Sequence, residues 1–131
     1  MTKRISIEVP GIGHKTPIPM GSKIGNIVYS SGISGHDPDT QKTPSEPAAQ
    51  AKVIFQNMER FMRAAGGTLE DIIRLTLYVK DRKLREHFDR EWLAAFPDET
   101  SRPARHAITS DLGERNFYQV ELVAVLQDHS R

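Results

Sequence analysis

The chain has 131 residues, enough for one compact domain and no more, so residues 1–131 are read as a single domain. A formal charge of +1 gives no electrostatic case for nucleic acid or for an anionic membrane surface. The absence of cysteine removes disulfides, zinc thiolate sites and cysteine nucleophiles together. The apolar fraction of 37% suffices for one core, yet no run approaches a membrane span. Lys3-Arg4 has no apolar run behind it and is not read as a secretory signal. The expectation is a cytoplasmic protein without membrane association.

Ile5-Ser6-Ile7-Glu8-Val9 alternates and predicts a half-buried strand that ends at Pro10-Gly11. Gly11 to Met20 is rich in Gly and Pro and predicts a loop; His14 lies in it. Ser22 to Ser31 predicts a hairpin turning at Gly25-Asn26, with Ser30-Ser31-Gly32 closing the second strand. His36, Asp37 and Asp39 carry donors that suit a metal, but Gly-His-Asp-Pro-Asp-Thr is equally ordinary turn chemistry. Ser45 is placed as the N-cap of a first helix, with Glu46 and Pro47 in its first turn. Ala51, Ile54, Phe55, Met58, Phe61, Met62 and Ala65 then recur at spacings of three and four, a core-facing stripe, and Gly66-Gly67 ends the helix through a left-handed cap. Ile73, Leu75, Leu77 and Val79 alternate with Arg74, Thr76 and Tyr78, which predicts a strand with the first set inward. Asp81 caps a second helix carrying Leu84, Phe88, Trp92, Ala95 and Phe96; His87 and Asp89 flank that stripe and read as surface. The last strand, Val120 to Leu126, is apolar on both faces apart from Glu121, so it must be covered on both sides.

The order is β-ββ-α-β-α-ββ: an α+β domain with a mixed or antiparallel sheet and two helices. Two crossover helices cover one face. The second face is left for copies of the same chain, so a homo-oligomer is expected.

Arg102-Pro103-Ala104-Arg105 enters the penultimate strand, because proline biases its neighbour towards extended backbone. A guanidinium at Arg105 is a natural clamp for a planar carboxylate, which it meets through two parallel charge-assisted bonds.

Seven stretches in order complete a pattern: Gly25-Asn26-Ile27-Val28-Tyr29-Ser30-Ser31-Gly32, Ala48-Ala49-Gln50-Ala51, Ala64-Ala65-Gly66-Gly67, Asp71-Ile72-Ile73, Tyr78-Val79-Lys80-Asp81, Pro103-Ala104-Arg105 and Glu121-Leu122-Val123-Ala124-Val125. With Asn57 among them, the chain from about Thr16 to Leu126 resembles the RidA (YjgF-type) family of enamine/imine deaminases, whose members are also known as L-PSP endoribonucleases. The resemblance implies a chorismate-mutase-like α+β fold with a mixed sheet and two helices on one face. It further implies a homotrimer with clefts between subunits and no metal, flavin or nucleotide cofactor. By the same resemblance Arg105 clamps the carboxylate of a 2-imino or 2-enamino acid, the main chain at Gly32 and Ile33 borders that cleft, and Ala107 offers a carbonyl to a water.

Two positions depart from the family pattern. Ile18 stands where the family has a cleft tyrosine, and Gln119 where imine-hydrolysing members carry a glutamate that activates water. Glutamine holds a water by hydrogen bonds but takes no proton from it; Glu114, in the preceding turn, is the alternative carboxylate. By resemblance Gln119 faces the same cleft as Arg105, and with a one-residue shift Asp89 meets a family asparagine. Three readings compete. The first is hydrolytic deamination of a reactive 2-imino or 2-enamino acid, or a related catabolic intermediate, to the 2-oxo acid and ammonia. The second is a non-catalytic trimer that binds small carboxylates such as 2-oxo acids. The third, an endoribonuclease, wants a basic groove with aromatic platforms, which scattered Lys and Arg in a near-neutral chain do not supply.

Overall fold

The computed structural model describes residues 3–127; residues 1–2 and 128–131 lie outside the description. Among the described residues seven strands and two α-helices follow one another as β1 (Ile5–Ile7), β2 (Gly21–Ile24), β3 (Ile27–Ser30), β4 (Ile33–Ser34), α1 (Pro47–Ala65), β5 (Ile72–Val79), α2 (Arg85–Ala95), β6 (Ala104–Thr109) and β7 (Tyr118–Val125). They build one mixed sheet in the order β1-β2-β3-β7-β5-β6, with β4 continuing beside β7 beyond β3. Every pairing is antiparallel except β5 with β6, the parallel pair that α2 connects. This is the α+β arrangement expected from the sequence.

The alternation along β7 sets the two faces. Tyr118, Val120, Leu122 and Ala124 are buried, whereas Gln119, Glu121, Val123 and Val125 are half-buried. The first set lies in one core with Leu75, Leu77 and Val79 of β5, the stripe of α1, and Phe88 and Trp92 of α2. The second set shares its face with Ile27 and Tyr29, 50% and 59% exposed, which pair with Val125 and Val123. No helix of the described residues covers that second face, and none is long and apolar enough to cross a membrane.

Helix α1 follows its sequence stripe, and all seven predicted core residues are buried. Its start differs from expectation: the N-cap is Glu46, not Ser45, and no side chain caps the helix. Pro47 at the first helical position makes one orphan N–H unnecessary and presets φ, so the turn forms without a capping hydroxyl. At its other end Gly66 takes φ 98°, which a side chain would resist, and Gly67 N–H closes on the Met62 carbonyl at 2.8 Å. Lys23 Nζ donates to the Ala65 carbonyl at 2.8 Å, placing a cation at the negative end of the helix.

Two further expectations are corrected. Ile73 is 52% exposed rather than inward, because the β5–β7 register shifts between Ile72 and Arg74 and the extra residue bulges out. Asp81 caps a single tight turn, Arg82–Leu84, by accepting from Lys83 N–H, and α2 starts only at Arg85.

Candidate functional site

Arg105 lies on β6, the edge strand, in register with Leu75, and its side chain therefore points to the helix side of the sheet. There its guanidinium carbon stands 5.1 Å from the ring centres of both Phe88 and Trp92. Both rings come from the buried stripe of α2, one turn apart, so the helix period itself spaces the two faces. A guanidinium beside aromatic faces gains cation–π attraction and loses freedom to move. The side chain is 18% exposed, enough for one edge to meet a ligand. Its charged partner is Asp89, whose Oδ1 lies 2.5 Å from Arg105 Nη2. That oxygen is buried, so the ion pair is shielded from water on that side. Asp89, a surface residue by its place in the sequence, is half exposed and pairs with Arg105.

Tyr118 lies beneath the same helix. Its ring centre is 5.8 Å from that of Phe88, and its hydroxyl donates to the Leu84 carbonyl at 2.5 Å. Burial, then the charges of Asp89 and Glu86, push its pKa up to about 12. It is therefore a neutral donor at ordinary pH, not a base.

Gln119 occupies a different place. It sits opposite Ser34 of β4 and Tyr78 of β5, on the face away from the helices. Its amide lies directly over Gly32, where a Cβ would meet Gln119 Nε2 and oblige the glutamine side chain to move. Gly32 and Gln119 line an open cleft of about 680 Å³ together with His14, Lys15, His36 and Arg115. Among its described lining residues none is acidic. Glu121, two residues on, accepts from the Tyr78 hydroxyl at 2.8 Å, and that bond holds the phenol above its ordinary pKa.

The family resemblance leads one to expect Arg105 and Gln119 in one cleft. Within one chain they lie on opposite faces of the sheet. Ala107, in register with Leu77, belongs to the Arg105 side. Ile33 has its side chain fully buried in the core, so at most its main chain is offered. Ile18 is 51% exposed in the loop before β2. Glu114 is exposed and lines an adjoining groove that shares His36 and Arg115 with the Gln119 cleft. The candidate residues thus form two half-sites. One comprises Arg105, Asp89 and Ala107; the other comprises Gly32, Gln119 and, beside it, Glu114.

The acidic turn after β4 is tied by one local bond and one ion pair to α1. Asp37 accepts from Asp39 N–H at 2.9 Å, and Asp39 pairs with Arg60 at 3.2 Å. Among the described residues no three His, Asp or Glu side chains gather as a metal-holding group.

Two polar residues that support the Gln119 cleft were not expected from the sequence to do so. Gln50 is wholly buried, donates to the carbonyls of Pro44 and Arg115 at 2.7 and 2.6 Å, and accepts from Phe117 N–H at 2.9 Å. Asn57 donates to the carbonyls of Ser34 and His36, both at 2.9 Å. The readable signal was position: both fall on the apolar stripe of α1, seven residues apart, where a polar side chain needs a partner.

The model of the Endoribonuclease L-PSP family matches residues 19–126. A RutC family protein of Aquifex aeolicus is 27% identical over 117 residues, covering 85% of this chain and 94% of that one. The 2-iminobutanoate/2-iminopropanoate deaminase of Escherichia coli strain K12 is 35% identical, but over 65 residues, half of this chain and 51% of that protein. Among solved structures, RidA from an Antarctic Psychrobacter species superposes with a TM-score of 0.84 at 25% identity, covering 93% of this chain and 99% of the other.

Proposed function

The chain belongs to the Endoribonuclease L-PSP family, which takes in the RidA and RutC proteins, and from that premise we propose that it hydrolyses a reactive 2-imino or 2-enamino acid to the 2-oxo acid and ammonia. The observation that carries the reading is Arg105, a cation lying over two aromatic rings at the edge of the sheet. A carboxylate on that guanidinium fixes the C2 carbon of the substrate relative to the protein. The reaction needs little more. Water adds to the C=N carbon of the protonated imine, one proton passes from the added oxygen to nitrogen, and the aminol expels ammonia, which leaves as ammonium once a second proton has moved. Protonated imine plus water balances 2-oxo acid plus ammonium, so no outside proton is consumed.

The proposal includes a homotrimer. One chain offers Arg105 on its helix side and Gln119 on its bare face, and copies packed through the bare faces bring unlike half-sites together at their borders. In such a cleft the Gln119 amide and the Ala107 carbonyl orient water. A second reading, carboxylate binding without turnover, is favoured by Gln119 itself, since an amide accepts no proton from water.

The test is ammonia release from freshly generated 2-iminopropanoate, beside binding of 2-oxobutanoate. Catalysis is expected in the wild type and lost in Arg105→Ala, with little recovery in Arg105→Lys, whose ammonium lacks the planar fork. Removing one partner of a charge-assisted pair costs ~2–5 kcal/mol. Binding without ammonia release would establish the second reading; an unchanged Arg105→Ala would remove both.

A further inference from the structure

With Arg105 as a carboxylate clamp, the reading on which this inference rests, the neighbours of the guanidinium decide which carboxylates the clamp selects. Asp89 Oδ1 is 2.5 Å from Arg105 Nη2. A guanidinium has two edges that take a carboxylate by two prongs, Nη1 with Nη2 and Nε with Nη2. Nη2 belongs to both. Any ligand carboxylate that binds in the two-pronged way therefore meets Asp89 at that nitrogen. Arg105 lies over the rings of Phe88 and Trp92 and is 18% exposed, so it has little room to turn away. Asp89 is 47% exposed with its Oδ1 covered, which leaves its other oxygen to face a ligand.

We infer that Asp89 makes this clamp selective for zwitterions, ligands with a cationic nitrogen on the carbon next to their carboxylate. The charge count decides it. Arg105 and Asp89 together are neutral, so a plain carboxylate brings the site to −1 and sets two carboxylates against each other on one guanidinium. Like charges that close repel strongly where water is partly excluded. A 2-iminio or 2-amino acid adds no net charge. Its carboxylate takes the guanidinium while its N–H⁺ donates to Asp89, and the two groups sit on adjacent carbons, as a directly contacting Arg–Asp pair requires. The consequence for the proposed reaction is directional. The protonated imino acid is such a zwitterion and the 2-oxo acid is an anion, so the residue that retains substrate repels product. Asp89 also favours the protonated imine, the electrophilic form.

The experiment compares L-alanine with pyruvate, which share a carbon skeleton and differ in charge at C2, by NMR titration of the assembled protein and of Asp89→Asn and Arg105→Ala. The wild type should bind alanine at least ~10-fold more tightly than pyruvate, a difference of about 1.4 kcal/mol. Asp89→Asn keeps the shape of the side chain and should reverse the order, with pyruvate gaining and alanine losing. An alanine-to-pyruvate ratio equal in wild type and Asp89→Asn overturns the inference. If Arg105→Ala meanwhile loses both ligands, the carboxylate clamp stands and the role of Asp89 alone falls. If Arg105→Ala binds both like the wild type, or no protein binds either, the clamp falls as well.

Discussion

Replacing Gln50 by methionine keeps the volume and shape of the side chain and removes its three hydrogen bonds. Gln50 is fully buried, so the substitution leaves the Pro44 and Arg115 carbonyls and the Phe117 N–H without their partner. Each such bond contributes about 1 kcal/mol net, and a group left unpaired in the interior costs about 1–3 kcal/mol. Water can still reach the two loop carbonyls in part, so the lower bound applies to them and the loss should be about 3–4 kcal/mol. Packing contributes little to this figure, since a swap of equal volume opens no cavity. The assay is urea unfolding followed by the fluorescence of Trp92, the one tryptophan of the chain. Protein concentration is held fixed, because an oligomer's stability depends on it. The midpoint should fall with the slope unchanged. Phe117 lies two residues before Gln119, so the same variant should also weaken whatever the Gln119 cleft binds. A loss below ~1 kcal/mol would refute the reasoning, and would mean that the Pro44 and Arg115 loops are held by other contacts.

Gln119→Glu should raise kcat for 2-iminopropanoate by ~10-fold or more with KM little changed, since water activation is realised in the transition state; a wild type already as fast would show that a carboxylate here is dispensable. Light scattering after size exclusion should give three times the subunit mass, and Val123→Glu, which puts a charge beside Tyr29 on the bare face, should give monomers. A monomeric wild type at micromolar concentration would exclude clefts between subunits. In an alkaline titration of phenol absorbance, Tyr118 should ionise only near pH 12. Its folded pKa is raised above the ordinary value, so its contribution to stability is complete below pH 10 and is lost as pH rises through about 12. Tyr118→Phe should remove that late component, and identical curves would contradict the burial of the hydroxyl.

Much of the fold was legible because it rests on period. The α1 stripe and the alternation of β5 and β7 are statements about which side chains share a face, and one core satisfies them together. The failures are local. Ile73 alternates correctly in sequence, but it is itself the unpaired residue at the register shift between Ile72 and Arg74, and no property of Ile73 announces the shift. Ser45 has the better capping chemistry, yet Pro47 sets where the helix begins. The turn at Asp81 reads as a helix start because the same Asx bond opens both a single tight turn and a full helix.

The site was legible residue by residue and not as an arrangement. Counting along β7 makes Gln119 and Glu121 face one way, and that is where they face. The same counting cannot relate β7 to β6, because β5 stands between them and only the paired registers carry parity across. Leu75 faces Leu122 on one side and Arg105 on the other, and this fixes Arg105 on the helix side, opposite Gln119. The choice of edge strand has a further effect. Among the described residues β6 pairs only with β5, so Arg105 stands at the border of the sheet, where side chains of α2 reach it. That is why Asp89, one residue after Phe88 and unremarkable on a helical wheel, arrives at the guanidinium. A sequence shows that an arginine is able to bind a carboxylate; only the packing shows that the protein has already brought one of its own.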